Sequence, residues 1–453
     1  MFLALYPGVY GYDAGMQIMY INKNYEWTTH FSSVYSLIIG GAVKIGITLF
    51  NSAQLGFALY IFLQMIFIVY VLYRITIFIY MKTGKKNLVY LIFVFYLFIP
   101  THWVMSVSSA QDVFYAGFFS LALLQMMDIS IDYEHGIKTI GKNTKLVIYL
   151  VTMCFFKNNG FFVMLALLFF MITFKIKQVK KVLIIVSILF VFLYNQSLTS
   201  VFGIKKSNTI AEMMSLPSQQ LARVMNYGTV SEENRNFISI IYQQNDFKAY
   251  TSRQMIADSI KVTLNSSLFK NNIIKFVRTY LEIGMENPRD YFEGFMLQTL
   301  GTWYIAKEYD DSRMYHPYLE YEMIDAKKWN KDYIEIEKTS KIPFIDSMLS
   351  EIICDAKWKQ YPIISITNQS SFYNIVVFLL LIYTVYKRNF KFIVPISFTV
   401  AQIATVVLAP VSLYRYNYPI ILACPLIIFA FFTCSNLRNK DQLENNEQNL
   451  LNI

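Results

Sequence analysis

Long apolar runs recur along the chain and are separated by short basic clusters. A helix needs about 20 apolar residues to cross the hydrocarbon core of a bilayer. Of the 453 residues, 55% are hydrophobic and only 15% are charged, whereas soluble domains usually carry about 25% charged residues. The sequence therefore predicts an all-α polytopic membrane protein with about nine transmembrane helices. The runs that predict them are 55–80, 87–106, 112–128, 146–156, 160–174, 182–201, 371–386, 392–410 and 417–435.

The basic clusters predict how the helices are oriented. With nine spans, every cluster falls on one side, which the positive-inside rule makes cytoplasmic. This placement explains the formal charge of +10, so we expect contact with membrane lipids and none with nucleic acid. The clusters are Lys82/Lys85/Lys86, Lys138/Lys142/Lys145, Lys175/Lys177/Lys180/Lys181, Lys387/Arg388/Lys391 and Arg438/Lys440.

Two segments leave alternatives open. The runs 146–156 and 160–174 are each too short to span the membrane with ease, and together they would form one long helix broken at 157–160. A single helix would bury Lys157 near the membrane centre, at a cost of about 2.5–3.5 kcal/mol, so we expect a hairpin with its tip at the outer surface. Segment 30–51 is apolar but contains Lys44 and several serines. We predict a helix lying in the outer interface, with a true span as the alternative.

Residues 204–367 form a long polar stretch that holds most of the acidic residues. Its apolar residues recur at three- and four-residue steps, which predicts a mainly helical domain, and the number of preceding spans makes it extracytoplasmic. The predicted organisation is an outer loop with an interfacial helix at 1–54, a transmembrane bundle at 55–203, the extracytoplasmic domain at 204–367, further transmembrane helices at 368–436 and a cytoplasmic tail at 437–453.

Few charged residues fall at the outer ends of the predicted spans. Asp112 opens one span, Lys157 lies at the hairpin tip, Arg415 lies in the loop before the last span, and Asp13 lies in a loop predicted over 6–15. The topology therefore predicts that two carboxylates and two cations meet at one membrane boundary. Each also has an ordinary alternative role: helix N-cap for Asp112, membrane anchor for Lys157 and Arg415, and turn residue for Asp13.

Several common catalytic motifs are missing from the sequence. There is no Walker loop, no glycine-rich dinucleotide motif after a strand, no Gly-x-Ser-x-Gly elbow and no His-Glu-x-x-His. The four histidines lack the paired spacing of a metal site. The sequence therefore does not favour an enzyme that uses cytosolic nucleotides.

A series of short motifs resembles the GT-C superfamily, polytopic glycosyltransferases that take a sugar from a polyprenyl-phosphate carrier. The resemblance is closest to a bacterial, largely uncharacterised branch. The motifs lie at residues 6–15, 30–36, 109–112, 157–160, 215–224, 287–291, 302–304 and 415–416. In that superfamily a transmembrane helix normally precedes the loop that bears the aspartate, and here only residues 1–6 come before it.

The resemblance implies a role for each site residue. Asp13 would be the general base that accepts the proton of the acceptor hydroxyl. Lys157 and Arg415 would hold the carrier phosphate, and Asp112 would orient sugar hydroxyls or hold one of the cations. Further substrate-binding residues are Asn158 and Tyr416.

The resemblance also implies the cellular setting. The sugar would pass, at the outer face of the plasma membrane, to a cell-surface glycan, lipid or protein acceptor. The resemblance implies no definite cofactor, and because some superfamily members use a divalent metal ion, such an ion stays an alternative. A transporter or lipid-linked-sugar flippase is the second function class, and it predicts ionisable groups near the midplane and internal repeats. A scaffold without catalytic activity is the third.

Overall fold

The structure is a computed structural model that describes residues 1–23, 25–177, 179–207, 209–244, 247, 250, 257–305, 334–351, 357–410 and 412–433. Within these ranges the regular secondary structure is helical, and the only strand-like features are two isolated bridges, Val9 with Ser108 and Thr28 with Lys205. The predicted all-α class is therefore confirmed.

The α-helices fall into two groups, an apolar bundle and a polar helical region between its two parts. The bundle contains α1 (Tyr12–Asn22), α2 (Ser33–Phe50), α3 (Ala53–Thr83), α4 (Lys86–Phe98), α5 (Pro100–Ser106), α6 (Asp112–Glu134), α7 (Ile140–Phe156), α8 (Asn159–Thr173) and α9 (Lys181–Ser200). The polar region contains α10 (Thr209–Met213), α11 (Ser215–Tyr227), α12 (Glu232–Ile241), α13 (Asp258–Lys261), α14 (Ser266–Asn271), α15 (Ile273–Glu286), α16 (Pro288–Gln298), α17 (Leu300–Trp303), α18 (Pro343–Leu349) and α19 (Pro362–Thr367). The bundle resumes with α20 (Ser370–Tyr386), α21 (Ile393–Val407) and α22 (Tyr418–Thr433).

Five or six helices of the described chain are long and apolar enough to cross a membrane. The five are α2, α3, α6, α9 and Tyr414–Thr433, where a 3₁₀ turn leads into α22. The sixth consists of α4 and α5 together, bent by 66°. Helices α8, α20 and α21 are apolar but have only 10–17 residues. A multi-pass membrane protein is therefore the architecture that these helices indicate.

The predicted span 87–106 is not one continuous helix. Helix α4 ends at Phe98 and α5 begins at Pro100, with the 66° bend between them. Proline has no backbone N–H and clashes with the preceding turn, so it breaks a helix that it would otherwise continue. By contrast, the predicted break at 157–160 is confirmed, because α7 ends at Phe156 and α8 begins at Asn159.

The prediction of a loop through Gly15 is wrong at its end. Helix α1 begins at Tyr12, with Gly11 at its N-cap in an extended conformation and Asp13 in its first turn. A carboxylate in the first turn interacts favourably with the helix dipole. The helix buries Ile18 and Met19 completely, and this packing holds the segment in place.

Helix α6 is the most buried of the long apolar helices, and 83% of its most apolar 18-residue stretch lies inside the protein. It has acidic residues at both ends, Asp112 at the beginning and Asp128 and Asp132 near the end. At 1.5 Å per residue, Asp112 and Asp132 are about 30 Å apart, which is the thickness of a bilayer core. The two ends of α6 therefore mark two ends of the bundle.

Basic clusters gather at the Asp132 end. Lys82 lies 3.0 Å from Asp128, and Lys142 lies 2.6 Å from Asp128 and 2.7 Å from Asp132. Lys391 pairs with Glu134 at 2.6 Å. Three of the five basic clusters thus meet at one end of the bundle.

The polar helical region packs around a core of its own, formed mainly by α11, α12 and α15. It is joined to the loop after α21. Gln298 Nε2 donates to the Ala409 carbonyl at 2.9 Å, and Ser412 Oγ donates to the Gln298 carbonyl at 3.0 Å. Because the same loop continues to Arg415, the polar region lies at the end of the bundle that carries Asp112.

Candidate functional site

Four charged side chains form one cluster, which we call the charge cluster: Asp13, Asp112, Lys157 and Arg415. Arg415 Nη2 lies 2.7 Å from Asp13 Oδ2, and its Nε lies 3.8 Å from Asp112 Oδ2. Lys157 Nζ donates to Asp112 Oδ1. The cluster is therefore a continuous chain of ion pairs, with two positive and two negative charges.

Each member comes from a different element. Asp13 lies in the first turn of α1, Asp112 begins α6, Lys157 lies in the turn between α7 and α8, and Arg415 lies in the 3₁₀ turn before α22. The sequence-based prediction that the four residues meet is confirmed by their contacts. Their chemical roles stay predictions.

The cluster is buried at one end and accessible at the other. The exposed fraction of the side chain is 2% for Asp112, 9% for Lys157, 11% for Arg415 and 30% for Asp13. Burial lowers the pKa of the Lys157 ammonium, and the adjacent Asp112 carboxylate opposes this effect. Asp13 is thus the member that a ligand can reach most easily.

The contacts decide against the ordinary alternative role of each of the four residues. Asp112 is not the N-cap of α6, because Gln111 holds that position. The Gln111 side chain makes no capping hydrogen bond. Lys157 and Arg415 are not lipid-facing anchors, since both side chains contact carboxylates inside the protein. Asp13 is bound to Arg415 and does not serve as a turn residue.

Tyr416, which was predicted to bind substrate, packs beside both cations of the charge cluster. The centre of its ring is 3.9 Å from Lys157 Nζ and 5.6 Å from Arg415 Cζ, so the ring face contributes a cation–π interaction. Its carbonyl accepts a hydrogen bond from Gln402 Nε2 at 3.1 Å. Gln402 Oε1 in turn accepts from the Tyr115 hydroxyl at 2.6 Å.

Sequence reasoning missed the last two residues. Gln402 gave a signal, because an amide inside the apolar run of α21 needs a buried partner. Tyr115 gave none, since aromatic residues are frequent in all the predicted spans. Both residues position Tyr416, and the Tyr115 ring also lies 5.9 Å from Lys157 Nζ.

Backbone pairing attaches the N-terminal segment to the loop before α6. Val9 N donates to the Val107 carbonyl at 2.8 Å, and Ser109 N donates to the Val9 carbonyl at 2.9 Å. Gly11 N donates to Ser109 Oγ at 2.9 Å. These contacts bring the first turn of α1, and with it Asp13, next to the beginning of α6.

Buried polar side chains of α2 and α3 hold the loop before α6 in place. The hydroxyls of Tyr35 and Tyr60 lie 2.7 Å apart. Tyr60 donates to Gln64 Oε1 at 2.7 Å, and Gln64 Nε2 donates to the Ser108 carbonyl at 2.8 Å. Helices α2 and α3 thus hold the backbone that places Asp112.

Asn158 does not belong to the charge cluster. Its side chain is exposed, and its Nδ2 donates to the Thr29 carbonyl at 3.1 Å. The contact attaches the α7–α8 turn to the segment before α2. The predicted substrate-binding role of Asn158 therefore has no support from its position.

A family profile described as "Family of unknown function (DUF6020)" matches residues 20–447. The chain belongs to the DUF6020 family. The matched range includes Asp112, Lys157 and Arg415 and begins after Asp13. No curated protein and no solved structure matches the chain.

A metal ion has no evident ligand set in the described part of this DUF6020 member. No group of three or more His, Cys, Asp or Glu side chains is placed there to hold one. In the charge cluster, Arg415 lies between the two carboxylates. The charge cluster itself presents an accessible carboxylate next to two fixed cations.

Proposed function

We propose that the protein is a membrane glycosyltransferase of the GT-C type. It transfers a sugar from a polyprenyl-phosphate carrier to a cell-surface glycan, lipid or protein acceptor. The observation that carries this proposal is the charge cluster, with its accessible Asp13 next to Arg415 and the buried Lys157–Asp112 pair. A carboxylate is suited to general base catalysis, and an arginine and a lysine are suited to a phosphate leaving group.

The proposal includes a topology with nine spans in the plasma membrane. The basic clusters lie in the cytoplasm, and the charge cluster and polar helical region lie outside. The ion pairs at the Asp132 end and the roughly 30 Å length of α6 between its acidic residues support this arrangement. Helices of 15 to 17 residues, such as α8 and α20, reach about 22–26 Å and suit a bilayer that is locally thin.

In this topology α2 lies in the outer interface and does not cross the membrane. Its contacts support that placement. Gly46 and Tyr35 of α2 contact Gly56 and Tyr60, respectively. Gly56 and Tyr60 lie near the beginning of α3. Just before α2, Ser32 donates to the Phe155 carbonyl, next to the α7–α8 turn. These contacts all lie at the end of the bundle that carries the charge cluster.

The geometry suggests how the donor prepares the base. Arg415 contacts Asp13 through one carboxylate oxygen, and a donor phosphate competes for the same guanidinium. Once the phosphate binds Arg415, Asp13 is released to accept the proton of the acceptor hydroxyl. The acceptor oxygen then forms a bond to the anomeric carbon, and the bond from that carbon to the phosphate oxygen breaks. Arg415 and Lys157 stabilise the charge that develops on the departing phosphate.

The test is sugar transfer by purified protein in lipid nanodiscs. A panel of radiolabelled polyprenyl-phosphate sugars is incubated with membrane acceptors, and Asp13→Asn is expected to reduce transfer by about 10²–10⁴-fold. The matched control is Glu26→Gln, which makes the same change at an exposed carboxylate paired with Lys205, and it should keep full activity. Full activity of Asp13→Asn, or no transfer by the unsubstituted protein with the whole panel, would reject the proposal.

A transporter or lipid-linked-sugar flippase is the second candidate, and the bend between α4 and α5 favours it. Transporters use broken helices near the membrane midplane. Here the break lies near the Arg415 loop, because the hydroxyls of Thr101 and Tyr414 are 2.7 Å apart. It is therefore at the outer end of the bundle, which supports this candidate less than a break at the midplane would. The same nanodisc experiment separates the two functions, since a flippase moves the labelled lipid without releasing its sugar.

A further inference from the structure

A cavity lies at the opposite end of the bundle from the charge cluster. Its volume is about 740 Å³, which is within the range of about 300–1,000 Å³ for small-molecule sites. It is bounded by the end of α3, the beginning of α4, the end of α6 and the end of α22. Nothing in the proposed transfer reaction uses it.

The wall of the cavity is apolar, and part of it lies at the surface of the bundle. Leu91, Phe95, Phe429 and Phe432 are among the residues that line it. Of the residues of helix α4, Ile92 and Tyr96 are buried, and the lining residues Leu91 and Phe432 are 63% and 59% exposed. In a membrane, these exposed parts of α4 and α22 would face lipid chains.

The rim of the cavity is basic. Lys82, Lys85, Lys391 and His135 line it together with the apolar residues, and no carboxylate does so among the described residues. Lys82 and Lys391 have acidic partners outside the lining, Asp128 and Glu134.

Lys85 differs from the two paired lysines. It is exposed, and no carboxylate in the described part of the chain forms an ion pair with it. Its ammonium is therefore the cation at the rim that a ligand can contact without displacing an acid.

We propose that this cavity binds an anionic phospholipid, with its acyl chains between α4 and α22 and its headgroup phosphate at Lys85. The apolar wall matches the chains, and the surplus of lysine at the rim matches a net negative headgroup. The exposed lining residues Leu91 and Phe432 give the chains a path from the bilayer. This proposal does not depend on the glycosyltransferase assignment.

The experiment uses the full chain in nanodiscs that contain a phospholipid with a photoactivatable acyl chain. The probes are phosphatidylglycerol, which is anionic, and phosphatidylcholine, which has no net charge. Cross-links are located by mass spectrometry, and we expect phosphatidylglycerol to label residues 88–95 and 425–433 more than phosphatidylcholine does. Lys85→Glu should reduce phosphatidylglycerol labelling at least about fivefold, the effect of losing one cation near an anionic lipid.

Two variants complete the design. Lys180→Glu makes the same charge change at an exposed lysine before α9 that does not line the cavity, and it should leave labelling unchanged. Leu91→Trp places a bulkier side chain in the cavity wall and should reduce labelling by both lipids. Equal labelling by the two lipids, or an equal loss in the Lys180 variant, would overturn the proposal. Labelling that appears only after removal of residues 434–453 would also overturn it, because the tail would then be the occupant.

Discussion

Replacing Lys157 by methionine tests how the charge cluster affects stability. Methionine keeps most of the side-chain volume and removes the ammonium. Asp112 has 2% of its side chain exposed, and the cation left beside it among the described residues would be Arg415, whose Nε is 3.8 Å away and whose guanidinium also pairs with Asp13. Removing one partner of a buried ion pair typically costs about 3–5 kcal/mol, and we expect a loss of that size in the free energy of unfolding.

An exposed pair provides the matched control. Lys205 and Glu26 form an ion pair in which 66% and 61% of the side chains are exposed. Exposed pairs contribute about 0–1 kcal/mol, so Lys205→Met should change stability by no more than that. The two variants remove the same group from a lysine–carboxylate pair and differ in burial.

Buried thiols provide a measurement of unfolding. Cys154 and Cys424 are free and buried, so a dye that reacts with thiols reports when the bundle opens. Cys354 and Cys434 lie outside the described residues and are replaced by serine in every variant to remove their signal. Denaturant titrations in detergent, followed by this dye, then compare the variants under one condition.

If Lys157→Met lowered the free energy of unfolding no more than Lys205→Met, burial would not be what makes the Lys157–Asp112 pair costly to break. A second comparison keeps the test independent of general damage to the fold. The double variant Asp112→Leu with Lys157→Met removes both buried charges, and such replacements are often neutral or stabilising by about 1–4 kcal/mol. The double variant should therefore be more stable than the single one.

The remaining predictions use the same unfolding measurement. Gly8→Ala should lose about 1–3 kcal/mol, because Gly8 has φ +130° and a new Cβ would lie 2.6 Å from an isoleucine side chain, whereas Gly41→Ala, with nothing within 4 Å, should be neutral or stabilising. Tyr416→Leu should lose about 0.5–2 kcal/mol more than Tyr416→Phe, because only the phenyl ring keeps its face against the lysine 3.9 Å away; equal losses would contradict this. Gln402→Leu should cost about 1–3 kcal/mol, since it leaves a buried tyrosine hydroxyl and a backbone carbonyl without partners, and the exposed Gln196→Leu serves as its control.

The meeting of the four charges was predictable because hydrocarbon excludes them. A chain with long apolar runs has few positions where a charge is tolerated, and those positions lie at helix ends. Asp112 and Lys157 could therefore be placed at the same boundary from their positions in the sequence alone. The order of pairing could not, because it depends on how α1 and the 3₁₀ turn pack. Arg415 thus contacts Asp13 at 2.7 Å and Asp112 only at 3.8 Å.

Local signals failed where tertiary packing decided the outcome. The glycines before and after Asp13 indicated a loop, yet α1 forms because Ile18 and Met19 bury against the bundle. Asn158 stands next to Lys157 in sequence and points elsewhere, since consecutive residues at a turn face different directions. Pro100 alone could have predicted the bend between α4 and α5. Because the residues on both sides of it are apolar, the sequence was interpreted as one continuous span.

The charge cluster is a poor solution for stability alone. Desolvating Asp112 and Lys157 costs several kcal/mol for each ion, and their attraction recovers this only with excellent geometry. Apolar residues of similar volume would hold α6 against the α7–α8 turn at least as well, and the double variant measures that directly. If the double variant is as stable as the natural chain but inactive in sugar transfer, these charges serve the reaction. Their graded exposure, from 2% at Asp112 to 30% at Asp13, then has a reason, because the cations must be fixed while the base must meet an acceptor.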